Sequence, residues 1–376
     1  MNHLIRLSHW EMIIADQISN LKEVEAVKNS AKSLQEKSLN TYREYCQLWN
    51  LYMEGLSLSL TTGQAGNTDE LSKSVDVTSH PLLKSKQLSF TNENLRLTIL
   101  VHHAYHKGDD REIYSIMKQT VALTEAYPHF LEERLNSYFQ NVGALANICV
   151  SLNKLKEADV LLKRLKSISE THQNKINFKF SIEVLKLEIE ILKKKGKYEE
   201  AIKMFSSTQK AMEGSINELD ELDKMLFYFC VFGAYFGNGM FKNAQFYLQK
   251  IIASPHQELL SHLQAHARVL NLLLQYEQEE FMHLSFLLRS TYRYLTKKRK
   301  IQDTELEIIN FLKKITKNVS ETEKIKAFRQ LKKELMPLSK QPFERNLYND
   351  FPLLEWIESK IENKKLSEIM RERYAK

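Results

Sequence analysis

Gly196-Lys-Tyr-Glu-Glu-Ala-Ile-Lys-Met-Phe205 places a turn-forming glycine directly before the opening of an amphipathic helix. Matching stretches flank it: Asn153-Lys-Leu-Lys-Glu-Ala-Asp-Val-Leu-Leu162 upstream and Gly239-Met-Phe-Lys-Asn-Ala-Gln-Phe-Tyr-Leu248 downstream. Their alanines fall at 158, 201 and 244, 43 residues apart each time. A fixed period of that size marks an array of helical repeats. One helix pair is too short to bury its own apolar stripe, so each pair must stack on the next.

The recurring residues have separate physical reasons. Where two helices cross closely, a side chain larger than a methyl group forces the backbones apart, which accounts for Ala158, Ala201 and Ala244. The turn before them favours a residue that tolerates positive φ, and Gly108, Asn153, Gly196 and Gly239 meet that demand. Leu162, Phe205 and Leu248 follow one helical turn after the alanines and share their face.

Working outward, helical periodicity predicts pairs turning at Gly108, Asn153, Gly196, Gly239 and, without a glycine, at Glu279-Glu280. Residues 1–60 carry helical spacing (Leu34, Leu39, Tyr42, Tyr45, Leu48, Trp49, Tyr52, Leu56) but match the repeat poorly, as expected of a terminal cap. The stretch 61–90 reads as a flexible loop and lead-in segment, its Ser/Thr/Gly/Asp-rich first part, up to Ser79, lacking apolar periodicity. Repeats are expected over 91–300, and a basic helical region with a cap over 301–376. There Ser320-Glu-Thr-Glu323 fits a capping box, Pro337 and Pro342 are expected to interrupt the chain, and Phe351 to Ile357 to form a closing helix. Ten glycines and six prolines in 376 residues leave little room for β-turns, so the fold class is all-α, an α-α superhelix with helical caps at both ends.

The three cysteines, Cys46, Cys149 and Cys230, form no CxxC pair, which points to a reducing compartment. The amino-terminal residues interrupt their apolar run with charge too early for a signal peptide, and no run is long enough for a membrane helix. A cytoplasmic protein is expected, with no membrane partner. The formal charge is +7, but 15 Lys/Arg face 6 Asp/Glu between Arg289 and Lys340, a local +9 that leaves the rest of the chain at −2. A concentrated basic face attracts nucleic acid, an acidic protein or anionic lipid.

Gly196, Tyr198, Ala201 and Phe205 resemble the tetratricopeptide repeat, as do Gly239, Phe241, Ala244 and Leu248, and Asn153, Leu155, Ala158 and Leu162. The resemblance covers about residues 91 to 297. It departs from the family in its longer period and in Ile113 and Leu284 at the alanine position. His80-Pro-Leu-Leu, the stretch Tyr276 to Leu295 and Trp356 also resemble bacterial tetratricopeptide-like proteins without an assigned activity. In the family, the first helix of each pair lines a concave groove that holds an extended peptide or a partner helix. The resemblance therefore implies partner contacts at His102, Tyr105 and His106, at Gln140 and Asn147, at Lys186, Glu190, Lys193 and Lys194, and at Phe229, Phe236 and Tyr276. The family's clamp for a terminal carboxylate is not reproduced, because Gly143 and Glu190 stand where polar or basic residues are expected.

Catalytic signatures are missing: there is no GxSxG, phosphate loop, dinucleotide fingerprint or Cys/His pattern. His102 with His106, and His262 with His266, share helix faces but lack the HExxH glutamate, so no metal or cofactor is expected. Glu199-Glu200 and Glu279-Glu280 fall at helix starts, where they complement the macrodipole. The expectation is a non-enzymatic scaffold that binds protein or peptide. Two alternatives are a peptide sensor controlling the amino-terminal helices and a nucleic-acid binder using Arg289, Arg293, Lys297, Lys298, Arg299 and Lys300. The oligomeric state is not legible.

Overall fold

A computed structural model describes residues 2–15, 21–65, 79–85, 87–171, 179–255, 261–298, 301–316, 320–341 and 344–375. All regular structure among them is helical and comprises nineteen helices. The chain divides into two compact units, Met1–Thr61 with Thr68–Tyr105, and Thr62–Asn67 with His106–Lys376.

The first unit is built from α1 (Asn2–Ala15), most of α2 (Leu21–Ala65), α3 (Pro81–Lys84) and most of α4 (Phe90–Lys107). Helix α2 turns Ala31, Ser38 and Leu48 inward at heptad-like spacing, and Leu48 packs with Leu83 and Ile99. Buried Asn92 donates its amide to the Thr41 carbonyl at 3.0 Å and to the Glu44 carboxylate at 3.1 Å, fixing α4 against α2. His80 caps α3 by accepting from the Leu82 N–H. The first residues of the expected loop, Thr61–Ala65, continue α2; residues 66–78 lie outside those described.

The second unit is a run of paired helices. After α5 (Asp110–Glu125) and the short α6 (Pro128–Glu133) come α7 (Leu135–Ser151) with α8 (Leu155–Thr171), α9 (Lys179–Lys194) with α10 (Tyr198–Asn217), and α11 (Glu221–Gly237) with α12 (Phe241–Ile252). Then follow α13 (Ser261–Glu277) with α14 (Phe281–Lys298), and α15 (Asp303–Ile315) with α16 (Glu321–Leu338). Three shorter helices close the chain: α17 (Arg345–Asp350), α18 (Leu353–Glu362) and α19 (Leu366–Ala375). Contacts are mostly sequential: each helix from α7 to α15 packs on the next, α7 also meets α9, α9 meets α11, α13 meets α15, and α16 packs on α18. This is a helical array.

The turns within the pairs repeat one hydrogen-bond pattern. Asn153, Gly196, Gly239 and Glu279 all have positive φ, between 57° and 76°. In each, the following N–H reaches back five residues (Lys154 to the Cys149 carbonyl, Lys197 to Leu192, Met240 to Tyr235, Glu280 to Gln275) while the turn residue's own N–H reaches back three. These are Schellman closures, which satisfy the last carbonyls of the first helix. Glu279 makes one without glycine, accepting the cost of a left-handed side-chain-bearing residue. Ala158, Ala201 and Ala244 are each 0% exposed, and Leu284, at the aligned position of the fifth pair, is also 0% exposed.

Two glycines of α11 set how closely its neighbours approach. A Cβ on Gly237 would lie 2.0 Å from the Tyr198 ring, and one on Gly233 would lie 2.7 Å from the Lys193 ammonium. Tyr198, at the start of α10, is thus seated on bare backbone. In the basic region the capping box at Ser320 forms: its N–H donates to Glu323 at 2.9 Å and its Oγ accepts from the Glu323 N–H. Pro337 does not interrupt the chain as expected. It lies inside α16, one residue before the helix ends, where a missing N–H costs only one bond.

Candidate functional site

Residues 344–375 return to the first helices of the pairs. At the start of α15, the buried Glu344 carboxylate accepts from the N–H groups of Asp303 (2.8 Å) and Thr304 (3.0 Å), placing negative charge at a helix amino terminus. Asp350 meets His266 Nδ1 of α13 at 2.8 Å. Phe351 packs on Phe232 and Phe236 of α11, with ring centroids 6.2 and 4.9 Å apart. The Trp356 indole N–H and the Lys360 ammonium both donate to Glu277 at the end of α13, each at 2.6 Å. Helix α19 packs on α9, and Arg371 donates to the Gly196 carbonyl at 3.1 Å. The closing segment therefore lies along the ends of α9, α11 and α13 as well as against α16.

Four of the expected partner residues turn inward, and two of them, Phe236 and Tyr276, meet this returning segment. Phe229 (5% exposed) and Phe236 (3% exposed) are core, and Tyr276 is half-buried between Phe281, Phe328 and Trp356. Lys193 is 5% exposed, donating to Glu190 at 2.6 Å and to the Cys230 carbonyl at 3.4 Å. Burial opposes its charge, yet Glu190 and neighbouring groups hold its pKa above the usual lysine value. These four side chains serve contacts within the chain. Accessible side chains remain on α7 and α9: Gln140 and Asn147 are exposed, and Lys186, Glu190 and Lys194 are half-buried, with Lys186 bonded to Glu183 at 3.0 Å.

In the first unit, His102 is half-buried edge-on to Tyr52, and burial lowers its pKa; Tyr105 is 59% exposed. His106 falls in the second unit and is half-buried. The basic residues Arg289, Arg293 and Lys297 are exposed on α14; the Lys298 side chain and residues Arg299 and Lys300 lie outside those described. The remaining candidates for chemistry are occupied structurally. His262 and His266 have ring centroids 6.4 Å apart, and among the described residues no three His, Cys, Asp or Glu side chains converge as metal ligands. Burial raises the Cys149 thiol to about 11 and the Cys230 thiol well above its ordinary value, so neither is a thiolate nucleophile near neutrality. Glu199 and Glu200 pair with Lys203 and Lys197.

Compared with known proteins, the chain matches no family model and no curated sequence. Among the described residues no helix is long and apolar enough to cross a membrane.

Sequence reasoning missed Glu277, Glu344, Asp350 and Arg371. Each works on a partner between 40 and 175 positions away, and nothing in local spacing marks such a residue. Trp356 carried a signal, being one of only three tryptophans and lying in the closing apolar group.

Proposed function

We propose that this chain is a non-enzymatic, tetratricopeptide-like array that binds a protein or peptide segment along the faces of its first helices. The observation that supports this reading is intramolecular. Helices α9, α11 and α13 already hold a polypeptide, residues 350–371, by ring insertion at Phe236, a hydrogen bond at His266, a charged contact at Glu277 and main-chain acceptance at Gly196 beyond the end of α9. These are the terms by which a groove recognises a peptide. The neighbouring first helices α7 and α9 keep Gln140, Asn147, Lys186, Glu190 and Lys194 accessible, mixing amide donors with both signs of charge. The mechanism is preorganisation: side chains held on packed helices spend little entropy on ordering when a ligand arrives.

Affinity capture from the native host with the full chain tests this, repeated with Asn147→Ala, Lys186→Glu and Lys194→Glu combined. The expected result is loss of one specific partner at unchanged thermal stability. An identical set of captured proteins would remove the first-helix face from consideration.

A further inference from the structure

Helix α16 presents a second surface, formed by none of the first-helix side chains just described. A cavity of about 510 Å³ opens between α16 and α18. Its floor is apolar, made by Met336, Pro337 and Ile361, and its rim is cationic, made by Arg329, Lys332, Lys333 and Lys340. Positions 329, 333 and 336 recur at helical spacing along one face of α16, covering about 10 Å of helix, and Lys340 follows two residues beyond its end. Among the described residues no carboxylate lines the cavity. Lys332 bonds to Glu358 of α18 at 2.8 Å, and Arg373 also bonds to Glu358, so that carboxylate is already neutralised. Among the described residues, Arg329, Lys333 and Lys340 have no carboxylate partner, although all three are exposed.

From this geometry we infer that the trough between α16 and α18 docks an acidic amphipathic segment of a partner protein. Three features select that occupant. Unpaired cations along a single face complement a row of carboxylates. A floor of methionine, proline and isoleucine wants apolar side chains, which a phosphate backbone does not supply. Among the described residues the lining also contains no aromatic ring on which single-stranded bases would stack. The inference is separate from the first-helix reading, since it uses none of the first-helix side chains, only Ile361 of the closing segment.

The test is fluorescence anisotropy with the full chain and a labelled helical peptide of about twelve residues, long enough to match the trough at ~1.5 Å per residue, carrying glutamates beside a leucine stripe. Lys333→Glu with Lys340→Glu is expected to weaken binding at least tenfold, and Met336→Ser severalfold. Lys186→Glu with Lys194→Glu is expected to leave it unchanged. Circular dichroism checks that the exposed substitutions leave the fold intact. No measurable binding, equal affinity in the Lys333/Lys340 variant, equal affinity for a peptide with serines in place of leucines, or tighter binding of charge-matched DNA would each overturn the inference.

Discussion

Lys193 shows how a residue chosen for a ligand can become part of the core. Its ammonium enters the space left by Gly233 and is balanced by Glu190, which is itself partly exposed. Removing the partner of a buried charge costs more than removing the charge. Glu190→Gln is therefore expected to destabilise the chain by on the order of 2 kcal/mol, below the full buried-pair figure because Glu190 is reached by water. Lys193→Met is expected to be near neutral. Urea unfolding of both variants at pH 8 measures the difference, and the reverse order would refute this account. Because the folded-state pKa of Lys193 is raised, its stabilisation is complete below its ordinary value of 10.5 and is lost as pH climbs through the raised one. The wild type should thus lose stability at strongly alkaline pH by more than Lys193→Met does.

At the scale of elements, the array is set by how each pair turns and how closely its helices meet. The turn residues were legible because positive φ is a local demand that glycine and asparagine meet. The alanines were legible because one fully buried position recurs in three successive helix pairs. Glu279 was readable only as a turn at a pair of carboxylates, since side-chain-bearing residues seldom take its conformation. Gly237 ends α11 and receives the Tyr198 ring. Gly237→Ala forces that ring off a backbone it touches, and overpacking of this kind costs about 1–3 kcal/mol. Chemical denaturation measures it; a change within experimental error would mean that Tyr198 moves aside freely.

For the second unit as a whole, the closing segment is the long-range tie. Trp356 is 1% exposed, meets Tyr276 and Phe328, and donates to Glu277. Trp356→Ala should cost about 3–5 kcal/mol, as for other buried aromatic truncations. It should also speed amide exchange at the carboxyl-terminal ends of α11 and α13, because Phe351 and Lys360 are held by the same segment. Faster exchange confined to residues 345–375 would show that the segment caps α16 without tying α11 and α13. The helical class, the register of the pairs and the positions of their turns followed from the sequence alone, because periodicity, capping and positive φ act within a few residues of chain. Which first-helix side chains face water, and which lie beneath Phe351, Trp356 and α19, was decided only in three dimensions. Burial by residues 79 to 175 positions away leaves no periodic trace in either partner.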